Sequence, residues 1–145
     1  ALNIQGKKPQ PVQSTDAGFT TDNRGLKEGY IDTTGPIADS DWDYRLIAKG
    51  SEGNDQAVTT KHESYLIAPS VSWRPDDQTR LTLDALYQNQ PSLTPSNPLP
   101  LDYLRSGYAS RRAYAGDRWN GFRQREGMLG YRFEHQFDSG WGAVQ

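Results

Sequence analysis

The chain is predicted to be all-β, an antiparallel meander of about six strands, because alternation with a period of two recurs along it and turn-forming residues stand between the runs. Helical periodicity is absent apart from a short stretch near Leu101–Leu104. The clearest hairpin runs from Tyr65 to Asn89. Tyr65, Ile67, Pro69, Val71 and Trp73 fall on one side, and Leu66, Ala68, Ser70, Ser72 and Arg74 on the other. After Pro75-Asp76-Asp77 the alternation resumes, with Leu81, Leu83, Ala85 and Tyr87 opposite Arg80, Thr82, Asp84 and Gln88. Proline presets φ and aspartate caps its own backbone, so this tripeptide is a turn.

The other elements follow in order. A weak strand is expected from Val12 to Thr20, and a second from Leu26 to Thr34, where Gly29, Ile31 and Thr33 oppose Tyr30, Asp32 and Thr34. The spacer 35–43 leads to a strand at Tyr44–Lys49, and a long polar spacer, Gly50–Ser64, precedes the hairpin. The longest spacer runs from Gln90 to about Arg125. Met128–Phe137 then places Leu129, Tyr131, Phe133, His135 and Phe137 on one face and Gly130, Arg132, Glu134 and Gln136 on the other.

Such strands suit either a soluble sandwich or a membrane barrel. A mean hydropathy of −0.87 excludes a helical membrane protein, since no stretch approaches the roughly 20 apolar residues a spanning helix needs. It permits a barrel, whose strands need only about 9–11 residues and turn half of them toward a polar lumen. The 8 Tyr, 4 Trp and 4 Phe suit an aromatic girdle or a sugar-binding face. Loop lengths separate the two: short turns at 35–43, 74–79 and 138–141 alternate with the long spacers Gly50–Ser64 and Gln90–Arg125, as at the two rims of an outer-membrane barrel. About six strands do not close a membrane barrel, which takes at least eight, and the N-terminus has no signal-peptide layout, so the chain reads as an internal segment of something longer.

The chain resembles the TonB-dependent siderophore receptors, in particular the ferrichrome-type receptors of the Gram-negative outer membrane. Ala68 to Thr79 is similar to the family's APxxxWxPxDxT turn, and Leu81-Thr82-Leu83 with Tyr87-Gln88-Asn89 to its next strand. Gly130 to Phe137 resembles GYxFEHxF, and Asp32–Ile37 followed by Tyr44-Arg45-Leu46 resembles DxxGPL…YRL. Leu2-Asn3-Ile4 with Lys7-Lys8-Pro9 is similar to NIVTKRP at the end of the plug domain, with Gln5-Gly6 in place of Val-Thr. The resemblance implies that residues 1–10 end the plug and residues 11–145 supply the first strands of a barrel of about 22. It also implies energised uptake of ferric siderophores in the bacterial outer membrane. The expected partners are a ferric siderophore, TonB acting through the plug, and outer-membrane lipid and lipopolysaccharide. The YYGxLP segment that contributes to the family's ligand site is replaced here by residues 91–100, so that site is not carried over.

The candidate ligand-binding residues lie in the spacer Gln90–Glu126. It holds six arginines (Arg105, Arg111, Arg112, Arg118, Arg123, Arg125) against Asp102, Asp117 and Glu126, an excess of three positive charges in a chain whose net charge is −2. Aromatics are interleaved, giving the set Tyr103, Arg105, Tyr108, Arg111, Arg112, Tyr114 and Trp119. Such a loop attracts an anionic ferric chelate and packs against its apolar parts; alternatively its arginines pair with lipopolysaccharide phosphates or acidic loops. Net charge −2 and pI near 5.6 argue against nucleic acid. No cofactor is expected, because siderophore iron arrives already chelated. No catalytic frame such as GxSxG or HExxH occurs, so no catalytic residue is assigned. His135 is expected at an interfacial belt and His62 in a polar loop, neither as a metal ligand. Arg74, Arg80, Asp84, Arg132 and Glu134 are expected to line the barrel wall. The competing reading is a soluble all-β binding module of carbohydrate type, whose Trp42, Trp73, Trp119 and Trp141 form one face and whose apolar strand faces bury against a second sheet.

Overall fold

A computed structural model of the chain describes residues 6–23, 25–54, 61–93, 99–108 and 121–145. The period-two runs become β1 (Ser14–Thr21), β2 (Lys27–Pro36), β3 (Trp42–Asn54), β4 (Lys61–Trp73), β5 (Thr79–Leu93), β6 (Phe122–Gln136) and β7 (Gly142–Val144), with one short helix, α1 (Leu101–Arg105), before β6. Each strand pairs antiparallel with its neighbours in sequence, so the spatial order is β1 to β7 in one sheet. The meander expected from sequence is therefore present, with one strand more. β7 has only three residues, too few to show an alternation, and is identified by its ladder to β6.

Strands also run further than their sequence pattern. β3 reaches Asn54 and β4 begins at Lys61, so the expected loop Gly50–Ser64 contracts to 55–60. His62, expected in that loop, lies on β4. β5 and β6 likewise shorten the expected Gln90–Arg125 spacer to 94–121. Beyond the apolar band both faces of a strand are wet, so side chains stop alternating while the backbone ladder continues. Length contrast between connections then rests on 94–121 alone, against 22–26, 37–41, 55–60, 74–78 and 137–141.

Local chemistry explains the turns. The Asp76 carboxylate accepts the Gln78 backbone N–H at 2.9 Å and the Thr79 hydroxyl at 3.1 Å, which closes the β4–β5 connection. In the β6–β7 connection the Phe137 N–H reaches the Trp141 carbonyl at 2.8 Å, with Gly140 supplying the required φ of 84°. On β5 an extra residue enters between Gln90 and Leu93: Tyr65 pairs with Asn89 but Glu63 with Ser92, and Gln90 pairs with Gln124 but Leu93 with Phe122. Pro91 lies inside this bulge, where its missing N–H breaks no ladder bond.

The sheet is polar where a soluble protein is apolar. Among the described residues no hydrophobic side chain is buried, whereas Asp32, Thr34, Asp43, Ser51, Ser72 and Thr82 are. Register fixes the two faces, because partners in adjacent strands share a side. Thr34, Arg45, Ser70, Asp84 and Gly130 form one row of the polar face; Ile31, Ala48, Ile67 and Tyr87 form one of the apolar face. No second sheet covers the apolar side among the described residues, which is what the sandwich reading required.

Candidate functional site

The polar face carries a connected set of ion pairs around Asp32, which is 8% exposed. Arg45, one row away on β3, donates to it through Nε at 2.8 Å and Nη2 at 2.7 Å, a bidentate pair. Lys7 Nζ donates to the same carboxylate at 2.7 Å. The remaining Arg45 nitrogen, Nη1, donates to the Lys8 carbonyl at 3.0 Å, and the Gln10 N–H donates to Thr34 Oγ1 at 2.9 Å. Lys8 Nζ reaches Glu134 Oε2 on β6 at 3.4 Å, and Arg132 Nε donates to Glu134 Oε1 at 3.0 Å. The segment before β1 thus lies against β2, β3 and β6.

Of the five wall residues expected from sequence, Arg74, Arg132, Glu134 and Asp84 have identified neighbours, and Arg80 is placed by register. Arg74 pairs with Asp43, which is buried; Arg132 holds Glu134. Asp84 occupies space left by Gly130, where a Cβ would clash with Asp84 Oδ2. Arg80 sits opposite Glu134 in register. Sequence reasoning did not single out Asp32 with Lys7 and Arg45. All three stood inside recognised motifs, but only strand register shows that Asp32 and Arg45 converge.

The apolar face is banded. Trp42 pairs with Trp73, their rings stacked at 6.3 Å, and the row continues through Leu81 to Phe133. His135 lies between Phe133, at 6.5 Å, and Phe137, at 4.5 Å, and its Nδ1 is 3.0 Å from Thr79 Oγ1. Toward the opposite ends of the strands stand Tyr65 and Tyr87, with Ile67, Pro69, Val71, Leu83 and Leu129 between the two belts. Tyr65 and Trp73 share a face eight residues apart, about 26 Å along the strand. At a tilt of ~40° this projects to about 20 Å, near the ~25 Å apolar band of outer-membrane barrels. Of the four tryptophans proposed as a sugar face, Trp42 and Trp73 stack in this belt and Trp141 lies in the 137–141 turn. Trp119 is outside the described residues.

The predicted ligand residues divide. Tyr103 and Arg105 are on α1, whose Asp102 near its start and Arg105 near its end complement the helix dipole. Tyr103, 56% exposed, and Tyr108, 86% exposed, line a shallow hollow together with Asp102 and Ser106. Arg111, Arg112, Tyr114 and Trp119 lie outside the described residues.

No protein-family model matches the chain. It is 29% identical over 148 residues to the ferrioxamine B receptor of Salmonella typhimurium strain SL1344, covering 98% of the chain and 21% of that protein. To the ferrichrome outer membrane transporter/phage receptor of Escherichia coli K12 it is 28% identical over 143 residues, covering 94% and 19%. In fold it matches the crystal structure of the ferripyoverdine receptor of the Pseudomonas aeruginosa outer membrane with a TM-score of 0.79 at 18% identity, over 95% of the chain and 19% of that receptor. The chain therefore spans about a fifth of the length of the curated relatives it matches.

Proposed function

We propose that the chain is a piece of an outer-membrane siderophore receptor, that it forms the first strands of the receptor's barrel wall, and that it serves the import of a ferric siderophore. The observation that carries this reading is the inverted sheet, with ion pairs and hydroxyls buried on one face and aliphatic side chains between two aromatic belts on the other. Water is the wrong solvent for that outer face. Lipid suits it, and the aromatic belts suit the two interfaces.

In this reading residues 1–10 are the last of the plug and continue into β1. The polar face looks into the lumen and bears on the plug. The chain supplies no catalytic step and no resident metal. Uptake is energised by TonB through the plug, and the iron is cargo held by its chelator. The connection 94–121 is the extracellular element best furnished to meet that cargo, since it contributes Arg105, Arg111, Arg112 and Arg118 with Tyr103, Tyr108, Tyr114 and Trp119. Cationic side chains raise the local concentration of an anionic chelate, and tyrosines pack against its apolar parts.

The test uses the complete receptor in iron-starved Gram-negative cells lacking their own siderophore receptors, with radioiron loaded on anionic and neutral siderophores. Wild type restores uptake. Exchanging Arg111 and Arg112 for Glu reduces uptake of the anionic chelate by about tenfold, a loss of about 1.4 kcal/mol in capture, and spares the neutral one. Unchanged uptake of the anionic chelate removes the loop from the site. Failure of wild type to import any ferric siderophore removes the receptor reading.

A further inference from the structure

We propose that Asp32 anchors residues 7–10 to the barrel wall as a fixed pivot that stays in place while the receptor works, an inference that rests on the receptor reading above. Three of the four residues 7–10 are fastened to three strands: Lys7 to Asp32 and Gln10 to Thr34 on β2, the Lys8 carbonyl to Arg45 on β3, and the Lys8 side chain to Glu134 on β6. β3 and β6 are three strand spacings apart in the sheet, about 14 Å, so the segment is held across the wall and not at one point. Asp32 is the centre of the fastening. Its carboxylate takes both Nε and Nη2 of Arg45, which leaves Nη1 aimed at the Lys8 carbonyl, and it accepts Lys7 as well.

The strength of this attachment is uneven by design of its surroundings. Asp32 and Arg45 are 8% and 11% exposed, so their pair is little screened, whereas Lys7 is 64% exposed. Removing Asp32 leaves Arg45 without its bidentate partner and Lys7 with none at this position; removing Lys7 leaves the Asp32–Arg45 pair intact. A pull transmitted down the chain from residues before 6 consequently meets a stop at Asp32. Motion upstream swings about that stop, and β1 is not peeled from the sheet.

Two measurements on the complete receptor decide this. Hydrogen exchange of the peptide spanning residues 6–13 reads the attachment itself: Asp32→Asn raises exchange by about tenfold or more, the ratio that about 1.4 kcal/mol produces, and Lys7→Gln raises it less. Unchanged exchange in both variants overturns Asp32 as the anchor. The second measurement fixes the segment permanently with a disulfide between Gln10→Cys and Thr34→Cys, two residues that the 2.9 Å bond from the Gln10 backbone N–H to Thr34 Oγ1 holds side by side, its formation verified by mass spectrometry. With the disulfide formed, uptake stays within about twofold of the same variant reduced, as a tether that never leaves the wall requires. Uptake that stops on oxidation and returns with reductant overturns the pivot. If the wild-type receptor imports nothing, the receptor reading fails while the exchange measurement still judges the anchor.

Discussion

Replacing Leu129 with arginine is expected to destabilise the complete receptor in a bilayer by about 2–4 kcal/mol, the cost of a cation at the midplane of a lipid-facing barrel strand. The depth follows from register. Arg125 shares a row with Asn89 and Tyr65, and Phe133 shares a row with Leu81 and Trp73. Leu129 stands four residues from each, about 13 Å along the strand and about 10 Å along the bilayer normal at a tilt of ~40°. It is therefore midway between the two belts. Its 87% exposure makes the contrast sharp, because the same substitution on a water-facing surface costs within about 0.5 kcal/mol. The control is one residue away: Met128 pairs with Leu86 on the polar face, so Met128→Arg projects into the lumen and is tolerated. The assay is reversible urea unfolding of the receptor in phospholipid vesicles, followed by tryptophan fluorescence. A loss of 2–4 kcal/mol lowers the folding equilibrium constant roughly 30- to 900-fold. Equal costs for the two arginines, or a neutral Leu129→Arg, would falsify the assignment of faces.

Two other outcomes are expected. A Cβ at Gly53 would stand 2.6 Å from Leu26 Cα, a backbone atom that cannot swing aside; Gly53→Ala should cost about 1–3 kcal/mol, read as a lower urea midpoint with an unchanged slope. Asp76, in the β4–β5 turn, is held below the usual carboxylate range by the Thr79 hydroxyl first, with the Gln78 and Thr79 backbone N–H groups and nearby His135 adding to it against partial desolvation. A folded pKa below the unfolded one makes its contribution complete above the unfolded pKa and lost as pH falls through the folded one. Asp76→Asn should thus narrow the stability difference between neutral and acidic pH, and an unaltered acid limb in urea midpoints measured from neutral to acidic pH refutes this.

How much of this was legible in advance depended on whether a side chain announces its surroundings locally. The β4–β5 hairpin was, since apolar and polar residues alternate between its two faces and Pro75-Asp76 fixes the reversal. The wall residues Arg74 and Arg132 were, because charge in an alternating strand must face away from the apolar side. The outer ends of β3, β4, β5 and β6 were not: at Glu52 and Lys61 the side chains are exposed, and nothing distinguishes strand from loop except backbone pairing. Asp32 and Arg45 were visible as residues but not as partners, because thirteen positions separate them and register alone brings their side chains together. The Arg- and Tyr-rich stretch was read for chemistry, yet of its proposed residues only Tyr103, Arg105 and Tyr108 have described positions.

The strict succession of strands also sets an order in time. Every ladder joins neighbours in sequence, so each hairpin can close without waiting for a distant partner, the situation in which chain closure costs least. The cost grows as the logarithm of the excursion: the β4–β5 connection has five residues, 74–78, and the β5–β6 connection has 28, 94–121. Their ratio makes the second closure about 1.5 kcal/mol dearer in entropy. Assembly should advance through β1–β5, hesitate, and then zip β6 onto a template already in place, so that the longest connection is also the step that times the sheet.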